Sequence, residues 1–294
     1  MINMRSRFRL SYRTELERRP TKLMAFKFPR TKTADGTAFI RTGNGSPVVL
    51  IHGVGLRAES WYPQIEVLES EHTVFAVDLP GHGESDQLES SLPTLQEYSD
   101  RIVMFIEKNV NGAPIVIGHS MGALIALDIT TRYPQRCVGL AALNAIFRRT
   151  AAARAAVLNR ADTIAESGVQ AVIDATIDRW FPADEATDGV IVSLCRGWLG
   201  ATNADGYATA YRVFATEDGP PEHTLAGINV PTLFMTGEHD YNSAASMSLT
   251  LAQRVKNSEA VVIPGARHMS HLTHPAETNA ALKSLITISG GKDP

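Results

Sequence analysis

The sequence predicts an α/β fold: a mostly parallel sheet covered by helices on both faces, with a helical insertion. Three observations carry this. First, "PVVLI", "TVFAVDL", "PIVIG", "CVGLAALNA" and "PTLFMTGE" are apolar without alternation, the pattern of strands buried on both faces. Second, segments with apolar residues at helical spacing separate these runs, as parallel strands require. Third, the alternation stops between residues 146 and 221, where only helical patterns occur.

In order along the chain, "MAFKFPRTK" and "TAFIRTG" flank "ADG", a hairpin signature. "PVVLI" runs into "HGVG", and "SWYPQIEVLES" has helical spacing. "TVFAVDL" ends in "PGHGES". "TLQEYSDRIVMFIEKNV" reads as an amphipathic helix that opens with a Thr94/Glu97 capping box. "PIVIG" leads through Ser120 into the helix "MGALIALDITTRYP", which Pro134 stops. After "CVGLAALNA", the stretches "TAAARAAVLNRADTIAES", "VQAVIDATIDRWF" and "GVIVSLCRGWL" read as helices. The sheet resumes with "PTLFMTGE" and "AVVIPGA", and "HPAETNAALKSLITIS" is the last helix. The expected division is an N-terminal arm (1–23), a core (24–145 and 222–294) and a helical cap (146–221). The cap would meet the core beside the strand C-termini, where ligands bind in such sheets.

The chain has 294 residues, 44% hydrophobic and 20% charged, within the ordinary range for a globular protein. A formal net charge of -3 gives no electrostatic case for nucleic acid or a lipid surface. Cys137 and Cys195 fit neither a disulfide framework nor a metal site and read as buried small hydrophobes. No apolar run reaches the ~18 residues of a membrane span. The basic start of the chain lacks the apolar core of a secretory signal, so a cytoplasmic location is expected.

The chemistry centres on "VIGHSMGAL". A Gly-x-Ser-x-Gly match alone is weak, but here it sits where a strand meets a helix, the context of a nucleophile elbow. Gly118 and Gly122 leave room around Ser120, and the following helix N-terminus favours negative charge there. A serine hydroxyl needs a base. Of nine histidines, His268 follows "AVVIPGA" directly, with His271 three residues on as the runner-up. His119 should point away from Ser120, and His82 reads as structural. The base needs an acid to fix its tautomer. "PTLFMTGEHD" offers Asp240 in the loop beyond the strand and Glu238 at its end, while Asn144 puts a neutral residue at the other strand end where an acid could stand. Donors for a developing oxyanion would be the N–H groups of Met121 and of Val54 in "HGVGL", a loop that His52 would fix by hydrogen bonding.

Together, "VVLIHGVG", "VFAVDLPGHGES", "VIGHSMGAL", "LFMTGEHD" and "PGARHMSHLTHP" resemble the successive signatures of the α/β-hydrolase fold superfamily, over nearly all of residues 25–290 outside the insertion. The insertion resembles the helical cap of small-molecule members. Its "RWFP" and "NADGYATAYRVFATED" look most like 3-oxoadipate enol-lactonases. By that analogy Trp180 and Phe181 line the cap side of the pocket or belong to the cap core. Two departures stand out: Arg267 replaces the usual glycine before the base, and the acid loop reads "HDYNSA" rather than the usual proline-containing sequence.

The resemblance implies a serine hydrolase that cleaves a small carboxylic ester or lactone through an acyl-enzyme, with no metal or organic cofactor. A small-molecule substrate is expected; the oligomeric state is not readable. Carbon–carbon hydrolysis and cofactor-free perhydrolysis (haloperoxidase activity) use the same triad, and a non-catalytic ligand-binding role is the rival from another class. Arg148, Arg149 and Arg179 would either favour a carboxylate-bearing substrate or lie on solvated helix faces in surface ion pairs.

Overall fold

The computed structural model describes residues 28–181 and 189–290, so the expected arm, 1–23, lies outside the described residues. The sheet begins with β1 (Arg30–Lys32) and β2 (Ala38–Thr42), an antiparallel pair closed by a turn in which Gly36 takes φ 80°. β3 (Ser46–Ile51) and β4 (His72–Val77) are parallel, and α1 (Tyr62–Leu68) lies between them in the chain. The helix read from "SWYPQIEVLES" is in fact a 3-10 turn, Ala58–Trp61, followed by α1 with proline in its first turn, where no N–H partner is needed. α2 (Leu95–Asn109) has the predicted capping box in place. β5 (Ile115–His119) feeds α3 (Met121–Arg132), and β6 (Gly139–Leu143) follows.

Between β6 and β7 the regular elements among the described residues are helical, beginning with α4 (Ala151–Ser167), a 3-10 turn, α5 (Ile173–Trp180), α6 (Gly189–Ala201) and α7 (Ala204–Thr216). α8 (Glu222–Leu225) leads to β7 (Thr232–Gly237), α9 (Ala245–Ala252), β8 (Ser258–Ile263), α10 (Ser270–Thr273) and α11 (Pro275–Gly290). α7, α9 and the four-residue α8 and α10 are additional to the helices expected from the sequence. α7 had a legible start, since the Asn203 side chain accepts the Gly206 N–H at 2.8 Å, and it buries Tyr207, Ala210, Tyr211 and Phe214 at helical spacing. α9 has no side-chain cap and spans only 8 residues.

The eight strands run β1-β2-β4-β3-β5-β6-β7-β8, with β1, β2 and β4 joined antiparallel and every other pairing parallel. This is the α/β-hydrolase fold. Within β3, Val48 and Leu50 face one helical layer and Val49 and Ile51 the other, all at 0% exposure. Burying each such side chain is worth about 1.5–3 kcal/mol, which pins the register of the central strands. α3 is buried nearly all round, because it packs on the sheet and lies under the neighbouring α2. Among the described residues no helix is long and apolar enough to cross a membrane.

Candidate active site

Ser120 stands between β5 and α3 with φ 56° and ψ −115°, a strained conformation that costs about 1–3 kcal/mol outside glycine. Neighbouring chain holds it there. Its N–H donates to the Leu143 carbonyl at 2.9 Å, and its own carbonyl accepts from Ala123 at 3.0 Å. A Cβ on Gly118 would overlap the Gly122 carbonyl, and one on Gly122 would overlap the Ile51 carbonyl. The two glycines thus let β5, α3 and the end of β3 come together around the Ser120 turn.

The loops after β7 and β8 bring Asp240 and His268 into contact: His268 Nδ1 donates to Asp240 Oδ2 at 2.8 Å, with both side chains buried. Asp240 Oδ1 accepts the backbone N–H groups of Asn242 (2.8 Å) and Ser243 (3.1 Å). Burial alone would raise the Asp240 pKa, but the charge and hydrogen bond of His268, with Asn144 and Ser243, outweigh it and hold the carboxyl at about 2. Glu238 is half exposed and accepts instead from the Gly265 N–H at 2.9 Å. No hydrogen bond joins Ser120 Oγ to His268, a link that in hydrolytic sites often closes only around substrate.

Asn144, set aside in the sequence as a neutral strand end, is part of this assembly. It takes φ 55°, donates from Nδ2 to Asp240 Oδ2 at 2.8 Å, and accepts from Ser243 Oγ on its carbonyl at 2.7 Å. An asparagine tolerates that backbone conformation, so its place at a strand end was the available signal.

Two further histidines, His119 and His271, pack beside the base. His119 Nε2 donates to the His268 carbonyl at 2.9 Å, so it supports the base from below. Burial, then the neighbouring His268, push its pKa down to about 3. His271 is fully buried between Trp61 (4.9 Å between ring centres) and His119 (4.3 Å), and burial holds it well below the usual imidazole range. Only His268 touches the acid.

Opposite Ser120, the "HGVG" loop is fixed as expected: His52 Nδ1 donates to the Gly53 carbonyl at 2.8 Å while its Nε2 accepts the Leu79 N–H at 2.9 Å. Gly53 packs against Ser120, its Cβ position lying 3.0 Å from the Ser120 Cβ. Val54 is the next residue. Met121 opens α3, where first-turn N–H groups have no acceptor within the helix. Gly55, at φ 78°, is covered by Leu199 of α6 and Tyr207 of α7.

Trp180, the last residue of α5, lies nearly parallel to the His268 ring at 6.4 Å and 27°. Phe181 is buried beside it. The three arginines part company. Arg148 pairs with Glu222 and lies over Phe147. Arg149 is neither a solvated cation nor an entrance group: its side chain is 2% exposed and donates to the Phe214 (3.2 Å) and Glu217 (2.6 Å) carbonyls, capping α7. Arg179 Nη2 donates to Thr176 Oγ1 at 2.9 Å, and Arg160 Nε donates to the Tyr211 hydroxyl at 3.0 Å. Neither has an ion pair among the described residues. Burial and then the like charge of Arg160 depress the Arg179 pKa. Tyr211 and Tyr207 are 5.8 Å apart, so this cationic corner is one tyrosine from Gly55.

Residues 48–281 match the sequence profile of the alpha/beta hydrolase family. The chain is 37% identical over 248 residues to (E)-2-((N-methylformamido)methylene)succinate hydrolase of Acinetobacter baylyi, covering 84% of this chain and 93% of that one. It is 28% identical over 239 residues to 3-oxoadipate enol-lactonase 1 of the same organism, covering 79% and 85%. Among solved structures, an enol-lactonase from Burkholderia xenovorans superposes with a TM-score of 0.80 at 24% identity, over 88% of this chain and all of that one, a likeness of fold.

Proposed function

Since the chain belongs to the alpha/beta hydrolase family and is a hydrolase, we propose that it cleaves a small carboxylic ester or lactone through an acyl-enzyme formed on Ser120. The observation that carries this reading is the buried His268–Asp240 hydrogen bond of 2.8 Å, in a chain that also holds a strained serine at the β5–α3 turn. With Nδ1–H committed to Asp240, His268 presents an unprotonated Nε2 that takes the Ser120 proton as the hydroxyl attacks the carbonyl. The N–H groups of Val54 and Met121 receive the oxyanion, each worth about 3–4 kcal/mol in the barrier. His268 then protonates the leaving oxygen, and water activated by the same imidazole releases the acid and frees Ser120. Asp240 stabilises the imidazolium at each step.

Helices α4–α7 form a cap over this machinery in our reading, with Trp180 against the base and Phe181 in its wall. Burial and the like charge of Arg160 both disfavour the Arg179 cation, and an anion between the two guanidiniums relieves both. Arg179 and Arg160 therefore favour a substrate with a carboxylate several bonds from the scissile carbonyl. The relative at 37% identity is named for a substituted succinate bearing an N-methylformamido group. It supports a second reading, hydrolysis of an amide on a carboxylate-bearing skeleton, in which His268 protonates a leaving nitrogen instead.

Proton release in a pH-stat, over acid-bearing esters, lactones, enol-lactones, enamides and diketones, tests both readings with wild type and Ser120→Ala side by side. Turnover that vanishes in Ser120→Ala is expected, and the best substrate decides ester against amide. Equal rates in the two proteins would remove Ser120 from the chemistry. Tight binding without turnover would move the reading to a ligand-binding protein.

A further inference from the structure

Arg267 immediately precedes His268, and its side chain leaves the base loop in the opposite direction, toward the helices. Its Nη1 donates to the backbone carbonyls of Asp178 and Phe181, each at 2.9 Å. These carbonyls lie at the C-terminal end of α5, where peptide oxygens lack helical partners and a cation is favoured. The guanidinium also lies over the ring of Tyr241, 5.2 Å from its centre, and Tyr241 follows Asp240 directly. One side chain therefore touches the base loop, the acid loop and α5. Between its two acceptor carbonyls stands Trp180, which faces the His268 imidazole.

Ties of this kind are few. Among the described residues, side chains outside residues 146–221 donate hydrogen bonds to the helices of 151–216 at two places. One is Gln87 Nε2 to Asn203 Oδ1 at 3.0 Å, at the start of α7. The other is Arg267 at the end of α5. The base loop itself is rigid on its core side: His239 N–H donates to the Ala266 carbonyl at 2.8 Å, and a Cβ on Gly237 would overlap the Ala266 and Arg267 carbonyls. Arg267 thus couples a fixed loop to a helix that has few other polar holds.

We propose that Arg267 is a positioning residue that latches the end of α5 to the catalytic loops, so that Trp180 and the wall it anchors keep one alignment over His268. The proposal rests on the serine-hydrolase reading for its catalytic consequence, but not for the latch itself. A substrate that reaches the α5 wall depends on this alignment, and one confined to the Ser120 carbonyl site depends on it less. Misplacing a wall by about 1 Å can cost up to a hundredfold in rate.

The test uses the full chain with Arg267→Ala and Arg267→Lys. Hydrogen exchange is followed in peptides from residues 173–181 and, as a fold control, from β5 and β6. Steady-state kinetics are measured on phenyl acetate and on monophenyl adipate, whose acid end extends toward the cap. In Arg267→Ala, exchange in 173–181 should rise about tenfold or more with the strands unchanged. The ratio of kcat/KM for the adipate over the acetate should fall about tenfold, chiefly through KM. Arg267→Lys should recover part of both, because it keeps a donor but loses the planar contact with Tyr241. Wild-type exchange in 173–181, or equal losses on both esters, would overturn the latch. A wild type inert on both esters would sink the hydrolytic reading for esters, and the exchange result alone would then decide the latch.

Discussion

On the sheet side of the site, position is set by backbone packed on backbone. Ser120 holds φ 56° because Leu143 and Ala123 bond its peptide groups and because Gly118 and Gly122 admit neighbouring carbonyls where no Cβ fits. On the helical side, position is set by side chains on helix ends: Arg149 on the carbonyls of α7, Arg267 on those of α5, and Asn203 joined to Gln87. Among the described residues, nothing lies within 4 Å of the Cβ position of Gly197 in α6. The contrast teaches where change is tolerated. A wall held by a few long side chains can be reshaped one residue at a time, while an elbow held by interlocked peptides cannot. In the proposed reaction we assign substrate choice to the helices and the chemistry to the strand ends.

The largest losses are expected at the proposed reacting groups. Ser120→Ala should lower kcat/KM by about 10⁴-fold or more, and Asp240→Asn by a similar factor through the wrong His268 tautomer. Steady-state rates on the best panel substrate, with folding checked by circular dichroism, measure both; a loss below tenfold in either would detach that residue from the reaction.

Next come matched glycine substitutions. Gly122→Ala should destabilise the protein by about 3 kcal/mol or more, because its methyl meets the Ile51 carbonyl. Gly197→Ala, in an open helical position, should stabilise it by about 0.5–1 kcal/mol. Urea titration of both reads the difference, and similar values would mean the two walls are built alike.

The pH dependence should also divide along this line. His52, His82, His119 and His271 are all fully or almost fully buried, and burial pushes their pKa values down, His82 to about 4 and His119 to about 3. Folded, they stay neutral; unfolded, they protonate near pH 6.5. Their contribution is thus fully present above about pH 6.5 and drains as pH falls toward the folded values, at about 1.4 kcal/mol per pH unit for each imidazole. Asp240, held at about 2, adds a loss only between about pH 4 and pH 2. Residues 146–221 contain no histidine, so acid weakening should start on the sheet side. Unfolding free energies at pH 7.5 and 5.5 that agree within error would refute the buried neutral imidazoles.

The smallest expected effect on activity concerns the cationic corner. Arg179→Ala should raise KM about tenfold for acid-bearing esters and leave the neutral homologue within about twofold, worth roughly 1.4 kcal/mol. Equal KM changes for both esters would assign Arg179 to packing.

Much of this was legible in order along the chain. Apolar runs and helical spacing gave the strands, their mainly parallel sheet and the helical stretch 146–221, because periodicity is local and burial on two faces leaves no polar register. The motif positions likewise placed Ser120, Asp240 and His268 at strand ends, since a strand-to-turn boundary is written in adjacent residues. Long-range partners were not written there. That Asn144 bonds a carboxylate 96 residues away, that His119 carries the base loop, that Arg149 caps a helix while Arg179 faces another cation, and that Arg267 reaches the end of α5, 86 and 89 residues distant, depended on which surfaces the folded chain brought together. A residue's type limits the bonds it can make; only the tertiary arrangement decides which acceptor it meets.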